Sequence, residues 1–131
     1  MANRAIELHE SEVVEVLKRG ADTVVRVSFN VHESDGDPGA ARGTLWEQEG
    51  LIVLEDAVVA ETPERSYLQV ADGSIVVAGR RFANLLPLPF DHEGSAAVEF
   101  SGAGGALRAA CRRLRVMMTG TPVFVEDFPG R

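Results

Sequence analysis

Apolar and polar residues alternate at every second position in this chain, and that period constrains its fold more than any other feature. The clearest instance is Val25, Val27, Phe29 and Val31, with Arg26, Ser28, Asn30 and His32 between them. A period of two sends the two sets to opposite faces of an extended strand, one toward a core and one toward water. The same grammar recurs in short runs, each closed by Gly, Pro, Asp or Asn, and predicts a single β-rich domain over residues 1–131. With 45% hydrophobic and 25% charged residues, a chain of 131 residues can bury a core without disulfides or metal.

The punctuation between runs is specific. Residues 34–43 form a polar, Gly- and Asp-rich loop, and Leu51-Ile-Val-Leu54 after it is continuous enough for a strand buried on both faces. Asp72-Gly73, between Tyr67-Leu-Gln-Val70 and Ser74-Ile-Val-Val77, predicts a hairpin turn. Pro87 and Pro89 remove ladder donors, so their segment lies at an edge or leaves the sheet. Ser101-Gly-Ala-Gly-Gly-Ala-Leu107 lacks both the Gly-Lys-Ser/Thr of a phosphate loop and the third glycine of a dinucleotide fingerprint, and predicts a hairpin turn instead. At the C-terminus Phe124 and Phe128 flank Glu126, which predicts a docked strand.

Two segments leave a choice. Residues 11–20 offer a Ser11 cap, Lys18 and Arg19 at the end and a Gly20 stop, as a short helix would. A strand turning at Lys18 to Gly20 is the other reading. In residues 106–118, Leu107, Ala110, Cys111, Leu114, Met117 and Met118 follow helical spacing with arginines opposite. A strand reading there needs two pieces, Leu107-Ala109-Cys111 and Leu114-Val116-Met118, joined at Arg112-Arg113.

Ile6-Glu-Leu-His-Glu-Ser11 followed by Val24-Val-Arg-Val-Ser-Phe29, Asn84-Leu-Leu-Pro-Leu-Pro-Phe90, and Gly120-Thr-Pro-Val-Phe-Val-Glu-Asp-Phe-Pro-Gly130 together resemble blocks of a family of small bacterial proteins. The resemblance implies a β-rich fold in which the counterpart of residues 106–118 is a hairpin, and it implies no activity, ligand or site. The expected fold is therefore all-β, an antiparallel sandwich or flattened barrel of about eight to ten short strands. The alternative is α+β with a helix at 106–118.

For function, a net charge of −7 disfavours nucleic acid and anionic membrane surfaces as partners. No apolar run reaches signal-peptide or membrane-span length, and the single Cys111 forms no internal disulfide, which together predict a cytoplasmic protein. His9-Glu10-Ser11 and His32-Glu33-Ser34 echo one another, but neighbours on a strand point apart and do not converge as a nucleophilic triad. No catalytic residue is predicted, and the histidines are expected to be solvated near strand ends. Glu33, Asp35 and Asp37 gather carboxylates without a complete calcium loop, so neither metal nor cofactor is expected. Two groups remain as candidate binding residues. Arg108, Arg112, Arg113 and Arg115 concentrate positive charge that suits an acidic partner or self-association. His32, Trp46 and Tyr67 are the side chains to line a pocket if the domain is a small ligand-binding barrel or enzyme. The leading expectation is a non-enzymatic module that contacts a protein partner or forms a homo-oligomer.

Overall fold

A computed structural model describes residues 3–37 and 42–129. Within them the chain forms ten strands and no helix: β1 (Asn3–Arg19), β2 (Asp22–Ser34), β3 (Gly43–Glu55), β4 (Val58–Glu61), β5 (Leu68–Val77), β6 (Arg80–Ala83), β7 (Leu85–Leu88), β8 (Asp91–Ala103), β9 (Gly105–Met118) and β10 (Val123–Phe128). All pairings are antiparallel. Six strands close a barrel in the order β1-β2-β3-β9-β8-β5 and back to β1. It consists of two three-stranded meanders, β1-β2-β3 and β5-β8-β9, joined along β3–β9 and β1–β5. Outside it, β4 pairs with β9, β6 with β5, β7 with β1 and β10 with β3. The all-β expectation holds, and the barrel is its closed form.

The alternation read from the sequence fills the barrel. Val25, Val27, Phe29 and Val31 of β2 meet Ile6 and Leu8 of β1, Ile52 and Leu54 of β3, Ile75 of β5, Val98 and Phe100 of β8, and Leu107 and Leu114 of β9 in one buried cluster. Burying each such side chain stabilises the fold by about 1.5–3 kcal/mol. A barrel of six strands has a lumen narrow enough for these side chains to occupy.

The segment at 106–118 is β9, a single strand. It mimics a helix because its inward face changes phase: Leu107, Ala109 and Cys111 point inward, and then Leu114, Val116 and Met118 do. The change falls at Arg112-Arg113, opposite a register shift between Glu93 and Ala96 of β8. The two pieces anticipated in the strand reading are therefore present, joined by an irregularity of the kind a bulge produces rather than by a turn. Residues 11–20 likewise continue β1 as strand, and no helix begins at Ser11.

Asp72-Gly73 is not a turn. Both lie inside β5, which runs on to Val77, and the reversal comes at Ala78-Gly79, where both residues have positive φ (47° and 78°) as a tight hairpin requires. Gly73 serves close packing instead: a Cβ there would stand 2.8 Å from Leu8 Cβ and 3.2 Å from the Phe100 ring. At the tip of β8–β9, Gly104 and Gly105 form the expected glycine-rich turn.

Closure at β1 is composite. β5 pairs with it only through Glu12–Gln69 and Val13–Leu68. Further along, the Leu8 amide donates to the Asn84 carbonyl, and β7 takes over opposite Arg4 to Glu7, lowering Leu86 into the core beside Ile6. β7, which contains Pro87, thus lies at an edge as that proline requires.

Candidate functional site

The outer face where β1 and β2 meet carries the protein's buried acid–imidazole pair. His32 lies two residues beyond Asn30 on β2, and both face Glu7 of β1. His32 Nε2 is hydrogen-bonded to Glu7 Oε1, while Asn30 Nδ2 donates to Glu7 Oε2 at 3.2 Å. A register irregularity in β1 between Glu7 and Glu12, with Glu10 at φ 70°, brings Ser11 into the same group. Ser11 Oγ donates to the Glu7 carbonyl at 2.5 Å and accepts from the Asn30 amide at 3.1 Å. The Phe128 ring of β10 stands edge-on to the imidazole, with centroids 4.7 Å apart.

His32 is thus fully buried rather than solvated, and its acid is Glu7 rather than the adjacent Glu33. Burial is tolerable because the ring is paired, although Nδ1 has no hydrogen-bond partner among the described residues. Both Ser11 oxygen contacts are to backbone, so this hydroxyl holds the β1 irregularity together and is not aligned with the imidazole as a nucleophile would be. Ser34 is likewise engaged, donating to the Gly36 carbonyl. Glu7, Asn30 and Phe128 escaped the sequence reading because nothing local marks a glutamate between Ile6 and Leu8 as buried.

Trp46 packs against the core on β3, donates through Nε1 to Thr44 Oγ1 at 2.8 Å, and meets the Phe124 ring at 5.5 Å. Tyr67 sits exposed before β5, where a hydrogen bond to Glu12 raises its phenol pKa. Neither lines the larger clefts. One, of about 700 Å³, lies between the β2 and β10 ends and is lined by Glu33, Asp35, Arg42, Asp127 and Phe128 among others. A second of about 400 Å³ lies over β5, β8 and β9, with Arg81, Glu99 and Arg108 on its walls. Among the described residues, no group of three or more His, Cys, Asp or Glu side chains is arranged to hold a metal ion.

The arginines of β9 are largely matched by carboxylates. Arg113 holds Asp91 through two hydrogen bonds of 2.8 and 3.0 Å and lies 3.7 Å from both Glu55 and Glu93. Arg115 reaches Glu55 at 3.3 Å, and Arg108 reaches Glu99 at 3.6 Å. The Arg113 contact holds the Asp91 carboxyl below the usual aspartate range. Arg112 is exposed and joins no ion pair among the described residues.

β10 presents the opposite picture. Among the described residues it pairs with β3 alone, and its outer edge carries no strand. Val123, Phe124 and Val125 on it are 60%, 51% and 46% exposed, and Val125 is the residue skipped by the register shift between Phe124 and Glu126.

Compared with family models, with curated proteins and with solved structures, the chain finds no match. The resemblance to small bacterial β-rich proteins therefore rests on the quoted strings alone. No helix among the described residues is long and apolar enough to cross a membrane.

Proposed function

We propose that this protein is a non-enzymatic interaction module that offers the free edge of β10 to a protein partner. The observation that carries the reading is the run Val123-Phe124-Val125, three large apolar side chains about half exposed on a strand with an unpaired side. An edge of this kind is a template for another strand, and sheets ordinarily blunt it. The other edges here are blunted: β4 has four residues and a register shift, β6 begins with Arg80-Arg81, and β7 contains Pro87. A small-ligand barrel is the weaker reading, because apolar side chains fill the lumen and Trp46 and Tyr67 share no cleft. Cys111, buried on β9 with its thiol pKa raised by that burial, suits a reducing cytoplasm.

The test is photo-crosslinking in the native cell with p-benzoylphenylalanine at position 125 or at position 58, an exposed apolar site on β4. A discrete protein adduct at 125, absent at 58 and lost on Val123→Lys, is expected. Equal adducts at both positions, or none, would overturn the reading.

A further inference from the structure

Resting on β10 as the docking edge, we infer that its occupant is an extended segment of another protein carrying apolar residues beside basic ones. The inference comes from where charge is left unneutralised. On the β9 face, Arg108, Arg113 and Arg115 have carboxylate partners, and among the four arginines there Arg112 alone joins no ion pair among the described residues. Around β10, Glu47, Glu49, Glu126 and Asp127 are exposed and join no ion pair among the described residues. Their positions form one band: Val123 is paired with Glu47, Glu126 with Leu45 and Asp127 with Thr44. Arg42, exposed in the cleft that Asp127 lines, makes no ion pair with it. A strand edge that is apolar over three residues and anionic over the next two, in a chain already at −7, attracts a cationic partner and repels an anionic one.

Register defines the ligand further. A segment pairing antiparallel to β10 places two residues beside Asp127 and Glu126, then three beside Val125, Phe124 and Val123. Read from its own N-terminus, it is basic, basic, apolar, apolar, apolar. A second copy of this chain fits poorly: β10 paired antiparallel with itself about Val125 sets Asp127 against Val123 and Glu126 against Phe124, with no cation on either side. Opposite charges directly across a strand pair are favourable and like charges unfavourable. Basic and acidic versions of one segment therefore differ in affinity by about ten-fold or more.

The experiment uses the full chain, two acetylated and amidated fluorescent peptides, Lys-Arg-Val-Ile-Val and Glu-Glu-Val-Ile-Val, and the basic one N-methylated at alternate amides. Anisotropy and amide chemical shifts are followed. The basic peptide is expected to bind, shifting residues 123–127, with the acidic peptide about ten-fold weaker and the methylated one silent. In the double variant Glu126→Lys and Asp127→Lys, both at exposed positions, the preference reverses. Equal binding of both peptides at β10 overturns the charge inference and leaves the docking edge standing. No binding of either peptide overturns the inference, as does a β10-dependent dimer of the free protein in light scattering; the crosslinking result then decides whether the edge reading falls with it.

Discussion

Replacing His32 with leucine tests whether the Glu7–His32 pair is a structural unit of the barrel wall. The imidazole side chain is 1% exposed and the Glu7 side chain 11%, so His32→Leu leaves a nearly buried carboxylate with only the 3.2 Å contact from Asn30. Breaking a buried pair by deleting one partner costs about 3–5 kcal/mol, whereas replacing both partners with apolar groups is often neutral. A domain of this size has a total stability of about 7–20 kcal/mol. The single variant should therefore lose between roughly a seventh and roughly two thirds of it, and its Tm should fall by about 10–18 °C. The double variant Glu7→Leu and His32→Leu should return to within about 1–2 kcal/mol of the parent. Urea unfolding can be followed through Trp46, the single tryptophan, which is half-buried against Phe124. A loss below about 1 kcal/mol for His32→Leu, or a double variant no better than the single, would refute the idea that the two groups stabilise each other.

Gly73→Ala should cost about 1–3 kcal/mol, because its Cβ would stand 2.8 Å from Leu8 Cβ inside the core; a neutral result in thermal unfolding would contradict the β5 geometry. At Gly79, where nothing lies within 4 Å and φ is +78°, alanine should cost only its backbone strain, about 1–2 kcal/mol. Asp91 has a folded-state pKa lowered by Arg113, so its contribution to stability is present above the unfolded aspartate value of about 3.9 and is lost as pH falls through the lower folded value. Carboxyl-carbon NMR should show Asp91 titrating below that reference and moving back up in Arg113→Gln; an unchanged titration would remove Arg113 as the cause.

The core was legible from sequence wherever the period of two was unbroken, as in β2, because alternation and burial are the same fact seen twice. It was obscured where a strand changes phase. In β9 the step from Cys111 to Leu114 turns two strand faces into a spacing of three, which on paper is a helix. Asp72-Gly73 misled for a related reason: the same dipeptide serves a turn or a close approach between strands, and only the neighbours Leu8 and Phe100, remote in sequence, decide between them. The Glu7–His32 pair was hidden because its covering ring, Phe128, arrives from the far end of the chain. The neutralisation of Arg113 was similarly invisible, since Glu55, Asp91 and Glu93 come from two other strands.

The composite joint along β1 gives the barrel an unequal wall. Where the other strands grip one another along their length, this one meets β5 directly only at Glu12–Gln69 and Val13–Leu68 and is otherwise held by β7 and by a lone amide from Leu8 to Asn84, both supplied by the excursion between β5 and β8. That excursion acts as a wedge driven into a slit. If it backs out, Ile6 loses Leu86 and the slit gapes onto the oily interior, so the least secure stave of this cask is also the one whose slippage would first let water in.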